Sequence, residues 1–332
     1  MTVNSQAIIR ATAVAVMGVM CAGAGLAQDA TPSKNTISFS GYLDLGVFQD
    51  GWSDKTQVGN IARSNVAVSG NRDFGDGLSA FFKLSHRFES NTGETECCNK
   101  PFFHGEATMG FKGSFGSLKA GRALDAMYNN DWAYDPWYNF DRVASPAWDM
   151  WHYNFPSDPK ANNGHADYGR LNKGIFYDSP SMGGAKLHIS YSPVMETGDQ
   201  NRALGVSGTY DAGPVSAMLA HETNSAGNTD TFIGLKVAVA GISYMGAHDV
   251  SKAGASTATT NTLGVQFTSG KITYSGGWGQ VDVDGVKAQQ TVGVGASYAL
   301  DKDTNIYVDV ANKTHDGSAT LTGYGIGVNY SF

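Results

Sequence analysis

The sequence has few cysteines, little charge and a single long apolar run. Of its 332 residues only 3 are cysteine and 16% are charged, and the mean hydropathy is −0.24. Glycine is abundant instead, with 42 residues, but it follows no G-X-Y period, which excludes a collagen-like chain. No apolar pattern with the 3.6-residue period of a helix persists beyond residue 28, which argues against a helical fold. The 16 Phe, 15 Tyr and 6 Trp can bury enough surface to argue against disorder.

The long apolar run lies at the N-terminus. It carries one charge, Arg10, near its start and ends in small residues at Ala27, which is typical of a secretory signal peptide. A transmembrane anchor is the alternative, but Gly, Ala and Thr dilute the run and no stop-transfer charges follow it. A lipoprotein signal at Cys21 is a second alternative, which the large Met before it disfavours. We therefore predict a signal peptide over residues 1–27 and a mature domain over residues 28–332.

The mature domain lacks a basic excess and a set of metal-binding cysteines. Its 22 bases against 30 acids give a formal charge of −8, which disfavours nucleic-acid binding. Its two cysteines, Cys97 and Cys98, are adjacent in sequence. A disulfide between them is plausible in an exported protein but strained, so a bridged pair and two free thiols are both open. No second cluster of Cys or His has zinc-ligand spacing, and we expect no cofactor and no metal.

Apolar and small polar residues alternate with a period of two along most of the mature domain, as in β-strands. In the last segment Tyr324, Ile326 and Val328 share one face, and the residues between them are glycine. The second face of such segments consists mainly of Gly, Ser, Thr and Asn. The solvent-facing side of a soluble sandwich would carry more charged residues, so the pattern favours a barrel with a lipid-facing and a water-facing side.

Sixteen segments of about 9 to 14 residues show this alternation, close to the length that a tilted transmembrane strand needs. They are residues 36–48, 59–71, 78–90, 103–113, 117–125, 170–179, 184–194, 201–211, 214–223, 229–239, 241–250, 259–268, 270–280, 287–299, 304–313 and 319–332. Short turns alternate with longer polar connections, which together with an even strand number is typical of bacterial outer-membrane barrels. A closed barrel also pairs every backbone polar group in hydrocarbon. The predicted fold is therefore all-β, a sixteen-stranded antiparallel transmembrane β-barrel.

Five sequence motifs resemble those of the general diffusion porins of Gram-negative bacteria, of the beta-proteobacterial type. Residues 73–80 are similar to D-L-G-x-G-L-x-A, and residues 111–122 to L-x-G-x-F-G-x-x-x-x-G-R. Residues 177–184 are similar to Y-D-S-P-x-F-G-G, and residues 298–302 to Y-x-L-S-K. The C-terminal Phe332 matches the aromatic residue that the barrel-assembly machinery reads in this family. The resemblance covers most of the mature domain.

The resemblance implies a homotrimer in the outer membrane, in contact with lipid and lipopolysaccharide. Each barrel would be an aqueous pore for passive diffusion of small hydrophilic solutes and ions, narrowed by a third loop that folds inward, here residues 125–169. The family often has Arg where this chain has Asn65, Gly105 and Phe176, so the sign of ion preference stays open.

Charged and aromatic residues predict how such a pore would be lined. Strand parity places five basic residues on the water-facing wall: Arg63, Lys83, Arg87, Lys119 and Arg170. The loop carries five acids and four tryptophans: Asp125, Asp131, Asp135, Asp141, Asp149, Trp132, Trp137, Trp148 and Trp151. A basic wall opposite an acidic loop would create a transverse field that sets ion preference. The alternative is that these charged residues are simply solvated and have no role in ion selectivity.

Arg122 is predicted to face outward, where an isolated charge in lipid would cost roughly 2–4 kcal/mol. In the family the second loop leans onto a neighbouring subunit. Glu94 or Glu96 of that loop is therefore predicted to meet Arg122 at a trimer interface.

Three other functions are less consistent with the sequence. The loop aromatics favour, as the main alternative, a substrate-selective channel that stacks sugars or aromatic solutes. An adhesin or receptor would need longer external loops. Neither H-E-x-x-H nor G-x-S-x-G occurs and the 8 His are scattered, so we expect no enzyme, with a hydrolase as a remote alternative.

Overall fold

The computed structural model describes residues 35–96, 101–159 and 169–332. The predicted signal peptide, the Cys97 and Cys98 pair and the last part of the 125–169 loop lie outside these ranges. The signal peptide and the alternative states of the two cysteines therefore stay predictions.

Within the described ranges the chain forms seventeen strands and two short helices. The strands are β1 (Asn35–Gln49), β2 (Gln57–Gly59), β3 (Ser64–Gly75), β4 (Leu78–Phe88), β5 (Glu106–Gly113), β6 (Gly116–Leu124), β7 (Arg170–Asp178), β8 (Ala185–Tyr191), β9 (Leu204–Ala212), β10 (Val215–Thr223), β11 (Thr229–Val239), β12 (Ile242–Ala253), β13 (Ser256–Ser269), β14 (Ile272–Val283), β15 (Val286–Ala299), β16 (Thr304–His315) and β17 (Leu321–Ser331). A 3-10 helix (Asp131–Tyr134) and helix α1 (Pro146–Met150) lie between β6 and β7. Among the described helices, none is long and apolar enough to cross a membrane.

The strands form one closed antiparallel barrel. Each strand from β3 onward pairs with the next, and β1 closes the sheet by pairing with β17, with Tyr42 opposite Ser331 and Gln49 opposite Tyr324. The predicted sixteen-stranded antiparallel fold is confirmed, since β2 and β3 are two pieces of a single barrel strand.

Both pieces of that divided strand pair with β1. Gly59 of β2 lies opposite Gly46, and Asn65 of β3 lies opposite Tyr42, so six residue steps on the divided strand face four on β1. The two extra residues form a bulge at residues 60–63 that leaves the barrel ladder. Within it the backbone N–H groups of Ile61 and Ala62 donate to the Asp44 carboxylate at 2.7 and 2.9 Å.

The alternation along the strands separates an apolar outer face from a buried inner face. In β16 Ile306, Val308 and Val310 are more than 40% exposed, whereas Tyr307 and Asp309 between them are buried. Apolar side chains that stay exposed around a closed barrel are suited to lipid, since the backbone between them is fully paired.

The connections between strands do not alternate between short turns and longer loops as regularly as predicted. Val239 and Ile242 pair directly across the two-residue turn Ala240–Gly241, whose φ values of 52° and 80° are those of a type I′ turn. The turns Gly254–Ala255 and Asp284–Gly285, at the opposite barrel end, are equally short. The prediction of longer loops there is wrong for these two connections, because β12 to β15 continue their hydrogen-bonded ladders through residues predicted as loop.

The segment between β6 and β7 contacts the inner face on the far side of the barrel. The Trp137 indole N–H donates to Asp309 Oδ1 of β16 at 2.7 Å, and the Thr260 hydroxyl of β13 donates to the Met150 carbonyl at 2.7 Å. A buried cluster joins the segment to strands β10 to β12: Met127, Tyr134, Ala147, Trp151, Met218, Ala220, Phe232 and Ala247. The main hydrophobic core therefore forms where this segment packs against the wall.

Candidate functional site

Three arginines of the predicted basic wall meet the loop aromatics around one cavity of about 380 Å³. Arg63 comes from the bulge between β2 and β3, Arg87 from the end of β4 and Arg170 from the start of β7. The loop contributes the rings of Trp132 and Trp148 to the lining, among others. Arg63 reaches the cavity because the bulge at residues 60–63 is not held in the hydrogen-bonded ladder of the barrel.

Glu96 holds two of these arginines together. Its carboxylate lies 3.5 Å from Arg63 Nη1 and 3.8 Å from Arg87 Nη1, and the residue is 4% exposed. Burial alone would raise the pKa of Glu96, but Arg63, His104 and Arg87 together outweigh it and hold the pKa well below its usual range. Glu96 is therefore an internal counter-ion, which corrects the prediction that it reaches a neighbouring subunit.

Arg63 also packs on the aromatic rings of the loop. The guanidinium carbon lies 4.4 Å from the Trp148 ring centroid and 5.7 Å from that of Phe140. Arg142 lies 5.6 Å from the same Trp148 ring. These cation–π contacts fix the orientation of Arg63 relative to the loop.

The two lysines of the predicted wall form a separate group. Lys83 Nζ and Lys119 Nζ lie 3.0 and 2.8 Å from the two carboxylate oxygens of Glu106. The five basic residues are thus divided into an arginine group and a lysine group, each with its own glutamate. Sequence reasoning missed Glu106 and assigned Glu96 to a different role, at a trimer interface.

Of the five loop acids, Asp131 lines the arginine cavity and the other four do not, which corrects the prediction of an acidic lining formed by all five. All five are buried, with at most 6% of each residue exposed. Asp141 accepts backbone N–H groups from Val143 and Ala144 at 2.8 and 2.6 Å, and Asp135 accepts them from Trp137 and Asn139. Such bonds are typical of Asp in turns, so these carboxylates shape the loop.

Burial governs the protonation of these loop acids. It raises the pKa values of Asp125, Asp135 and Asp141 to about 6, even though hydrogen bonds to each carboxylate oppose the shift. Asp149 instead pairs with Lys313 of β16, with Oδ2 2.7 Å from Nζ. The fifth acid, Asp131, hydrogen-bonds His152 at 2.8 Å.

The four loop tryptophans have two different roles. Trp137 and Trp151 donate their indole N–H groups to Asp309 and Thr262 of the wall. Trp132 is 45% exposed and Trp148 lies beneath Arg63, and both line the cavity. Trp137 and Trp151 anchor the loop to the wall, and Trp151 lines the cavity together with Trp132 and Trp148.

The sequence model of the Gram-negative porin family matches residues 11–318 of the chain. The chain belongs to this family. It is 27% identical over 144 residues to the major outer membrane protein P.IA of Neisseria meningitidis serogroup B, covering 43% of this chain and 31% of that relative's length. The matched part therefore spans about a third of that curated relative.

Solved structures agree with this porin in fold. The anion-selective porin from Comamonas acidovorans is 20% identical with a TM-score of 0.76, covering 90% of this chain and all of that one. OmpT of Vibrio cholerae in its trimer form is 13% identical with a TM-score of 0.65, covering 90% and 99% of the two chains. At these identities the likeness concerns the barrel alone.

Arg122 of this porin is not an isolated charge on the outer face, contrary to the prediction. It is 7% exposed, and its guanidinium donates to the His104 carbonyl at 2.8 Å and to Asn172 Oδ1 at 2.7 Å. The strand departs from regular alternation just before it, at Gly121, where φ is 131° and the pairing with β7 shifts register. A role at a trimer interface stays a prediction for Arg122 and for the exposed Glu94.

His152 is a functional candidate that sequence reasoning missed. Its buried imidazole lies between Asp131 of the loop and Asp230 of β11, at 2.8 and 2.7 Å. Burial would lower the pKa of His152, but Asp249, Asp230 and Asp131 raise it well above its usual value. The partners are separated by up to 97 residues in sequence, so no local pattern indicates them.

Proposed function

We propose that this porin forms an aqueous outer-membrane pore for passive diffusion of small hydrophilic solutes and ions, and that the 125–169 loop narrows it. The loop leaves the wall after β6 and contacts the inner face of β13 and β16 across the barrel. A segment held at both sides of a barrel reduces the open cross-section between them. The arginine-lined cavity beside the loop carries the proposal, since a solute that passes the loop would meet it.

We further propose that anions pass more readily than cations. Three guanidinium groups line the cavity, and two acids accompany them: Glu96 lies beside Arg63 and Arg87, and Asp131 lines the cavity but pairs with His152. Asp135 and Asp141 accept backbone N–H groups, and Asp149 pairs with Lys313. Rings of fixed charge set the sign of the preferred ion in pores. The structural likeness to an anion-selective porin is consistent with this sign, although the fold alone does not establish it.

Reversal potentials in planar bilayers test this preference. Across a KCl gradient we expect an anion-selective potential for the wild type and a shift toward cation selectivity for Arg63→Gln combined with Arg87→Gln, since two positive charges leave the cavity. Lys302→Gln, at an exposed turn and outside the cavity lining, is the control and should leave the potential unchanged. An unchanged potential in the conducting double variant would show that these arginines do not set selectivity.

A second candidate function is a channel that selects ring-shaped solutes. Trp132 and Tyr138 are both exposed, line the cavity, and have ring centroids 5.9 Å apart. Exposed aromatic faces beside arginines suit the stacking of a planar or sugar ring. This feature favours a saturable site within the same pore.

Single-channel recordings with added solute separate the two candidates. For a selective channel we expect concentration-dependent current block by an aromatic carboxylate, and its loss in Trp132→Ala. Phe74→Ala, which removes an exposed ring at the end of β3 outside the cavity, is the matched control. Solute flux that stays linear with concentration would favour general diffusion and exclude a saturable site.

We also propose a homotrimer, with lipid and lipopolysaccharide around it and assembly through the C-terminal strand. Phe332 lies 5.4 Å from Phe39 between ring centroids, and its backbone pairs with Gly41 at 2.9 and 3.0 Å. The terminal aromatic is therefore part of barrel closure and faces the outer apolar surface, where an assembly factor can contact it.

A further inference from the structure

Three carboxylates surround one imidazole where the loop meets β11 and β12. The His152 cluster consists of His152, Asp131, Asp230 and Asp249, each at most 1% exposed. Both ring nitrogens lie within 2.8 Å of carboxylate oxygens of Asp131 and Asp230. The His152 backbone N–H donates to Asp249 Oδ2 at 2.7 Å.

This cluster carries more negative than positive charge. Because each ring nitrogen faces a carboxylate, the imidazole donates from both and supplies one positive charge for three acids. In the described part of the chain, His152 is the ion-pair partner of Asp230 and Asp249. Buried Asp125 and Glu222 lie nearby and both accept the Met127 backbone N–H at 3.0 Å. Buried charges without compensation are costly, so this excess calls for a proton or a cation.

Three buried oxygens beside His152 lack a hydrogen-bond partner within the described residues. They are Asp230 Oδ1, Asp249 Oδ1 and Ser251 Oγ. Ser251 of β12 lies directly opposite Asp230 of β11. Asp249 lies two positions before Ser251 on β12, so the two side chains share the inner face. Cross-strand neighbours of this kind have Cβ atoms roughly 4.5–5.5 Å apart. The three oxygens therefore belong to one small region of the wall.

We propose that Asp230, Asp249 and Ser251 bind a divalent cation of the calcium class and thereby stabilise the contact between the loop and the wall. Two carboxylate oxygens and a hydroxyl are hard ligands of the kind that Ca²⁺ prefers, and its flexible coordination accepts water for the remaining positions. One side-chain ligand atom of each of His152, Asp230 and Asp249 lies within 4.8 Å of the others, so the two carboxylates are close together beside the imidazole. Zinc suits the site less, because both imidazole nitrogens are used as donors to carboxylates.

The site is independent of what the pore conducts. The cation would balance the excess charge from the wall side, while His152 balances it from the loop side. Removing the cation should therefore weaken the contact between the loop and the wall without changing the hydrogen bonds of the barrel. Cation binding can be measured without any conductance assay.

Terbium luminescence on the chelator-treated, detergent-solubilised protein tests the proposal. Tb³⁺ is used as the probe because it replaces Ca²⁺, and the Tyr128 and Trp151 rings lie 4.1 and 6.5 Å from the His152 ring, close enough to sensitise it. We expect one saturable site per chain from which Ca²⁺ displaces Tb³⁺. Ca²⁺ should also raise the melting temperature, since a ligand that binds only the folded state stabilises it.

Variants assign the site to its residues. Asp249→Asn should abolish saturable binding, and Ser251→Ala should weaken Ca²⁺ affinity by roughly tenfold, the lower end of the effect of losing a metal-site partner. Asp309→Asn is the matched control, since it removes an equally buried inner-face carboxylate across the barrel and should leave the Tb³⁺ signal intact.

Two results would overturn the proposal. One is a wild-type protein whose melting temperature responds to pH but not to Ca²⁺, which would mean that protons neutralise the cluster. The other is Tb³⁺ binding that is equal in wild type and Ser251→Ala; this variant removes only a hydroxyl and decides the question if Asp249→Asn does not fold.

Discussion

At the scale of single residues, the buried carboxylates of the loop give stability an unusual dependence on pH. Burial raises the pKa of Asp135 to about 6, above its value in the unfolded chain. The folded state therefore binds the proton more tightly, and this contribution to stability is present at low pH and is lost as pH rises through about 6. As pH falls from about 7 to about 4, we expect the free energy of unfolding to rise by up to about 3 kcal/mol from this group.

Asp135→Asn tests this residue, because the amide resembles the protonated acid and still accepts the Trp137 and Asn139 N–H groups. Thermal unfolding followed across this pH range should show a smaller pH dependence in the variant than in wild type. Asp54→Asn, at an exposed position after β1, serves as the control. A pH dependence that is the same in wild type and Asp135→Asn would contradict the assignment.

At the scale of elements, a buried ion pair connects the loop to β16. Lys313 is fully buried, and its Nζ lies 2.7 Å from Asp149 Oδ2 and 2.8 Å from the Arg142 carbonyl. Lys313→Met leaves the Asp149 charge buried, with the Trp52 indole N–H at 3.2 Å as its side-chain partner within the described residues, and such a loss typically costs about 3–5 kcal/mol. We expect faster proteolysis within the loop and noisier single-channel currents, with an unchanged β-sheet spectrum.

A second substitution separates the charge from the packing. Lys313→Met combined with Asp149→Leu removes both charges and should recover most of the protease resistance, because no unpaired ion remains. If the double variant is cleaved as fast as the single one, the ion pair is not what connects the loop to β16.

At the scale of the whole molecule, the C-terminal strand closes the barrel against β1. Phe332→Ala removes the ring that packs on Phe39 and on Tyr330 while leaving the backbone pairs with Gly41 in place. We expect a several-fold lower yield of heat-modifiable, folded barrels in the outer membrane, read from gel mobility with and without heating. Phe332→Tyr keeps an aromatic ring and should restore the yield; equal yields of wild type and Phe332→Ala would exclude a role in assembly.

The barrel could be predicted from sequence because its signal is local. In β17 one residue separates each apolar residue from the next between Tyr324 and Tyr330, and such alternation is visible without information from distant positions. The loop could not be predicted in the same way. The partners of Asp135 and Asp141 are backbone N–H groups, which composition does not reveal, so these acids were misinterpreted as a pore lining. Glu96 and Asp230 meet their partners only after folding.

The divided strand was overlooked for a related reason. Its bulge adds two residues, an even number, so the alternation of inner and outer side chains is the same before and after it. A period-two pattern cannot detect such an insertion.

The even length of that bulge separates two requirements that a membrane channel must meet. Residues 60–63 can change in length by pairs, or in identity, without turning any lipid-facing residue of the remaining strand toward water. Arg63 belongs to this stretch, so the charge and reach of one side of the pore can vary while the hydrophobic fit to the bilayer stays constant. Permeability is in this respect an adjustable property of the protein, and membrane insertion is a fixed one.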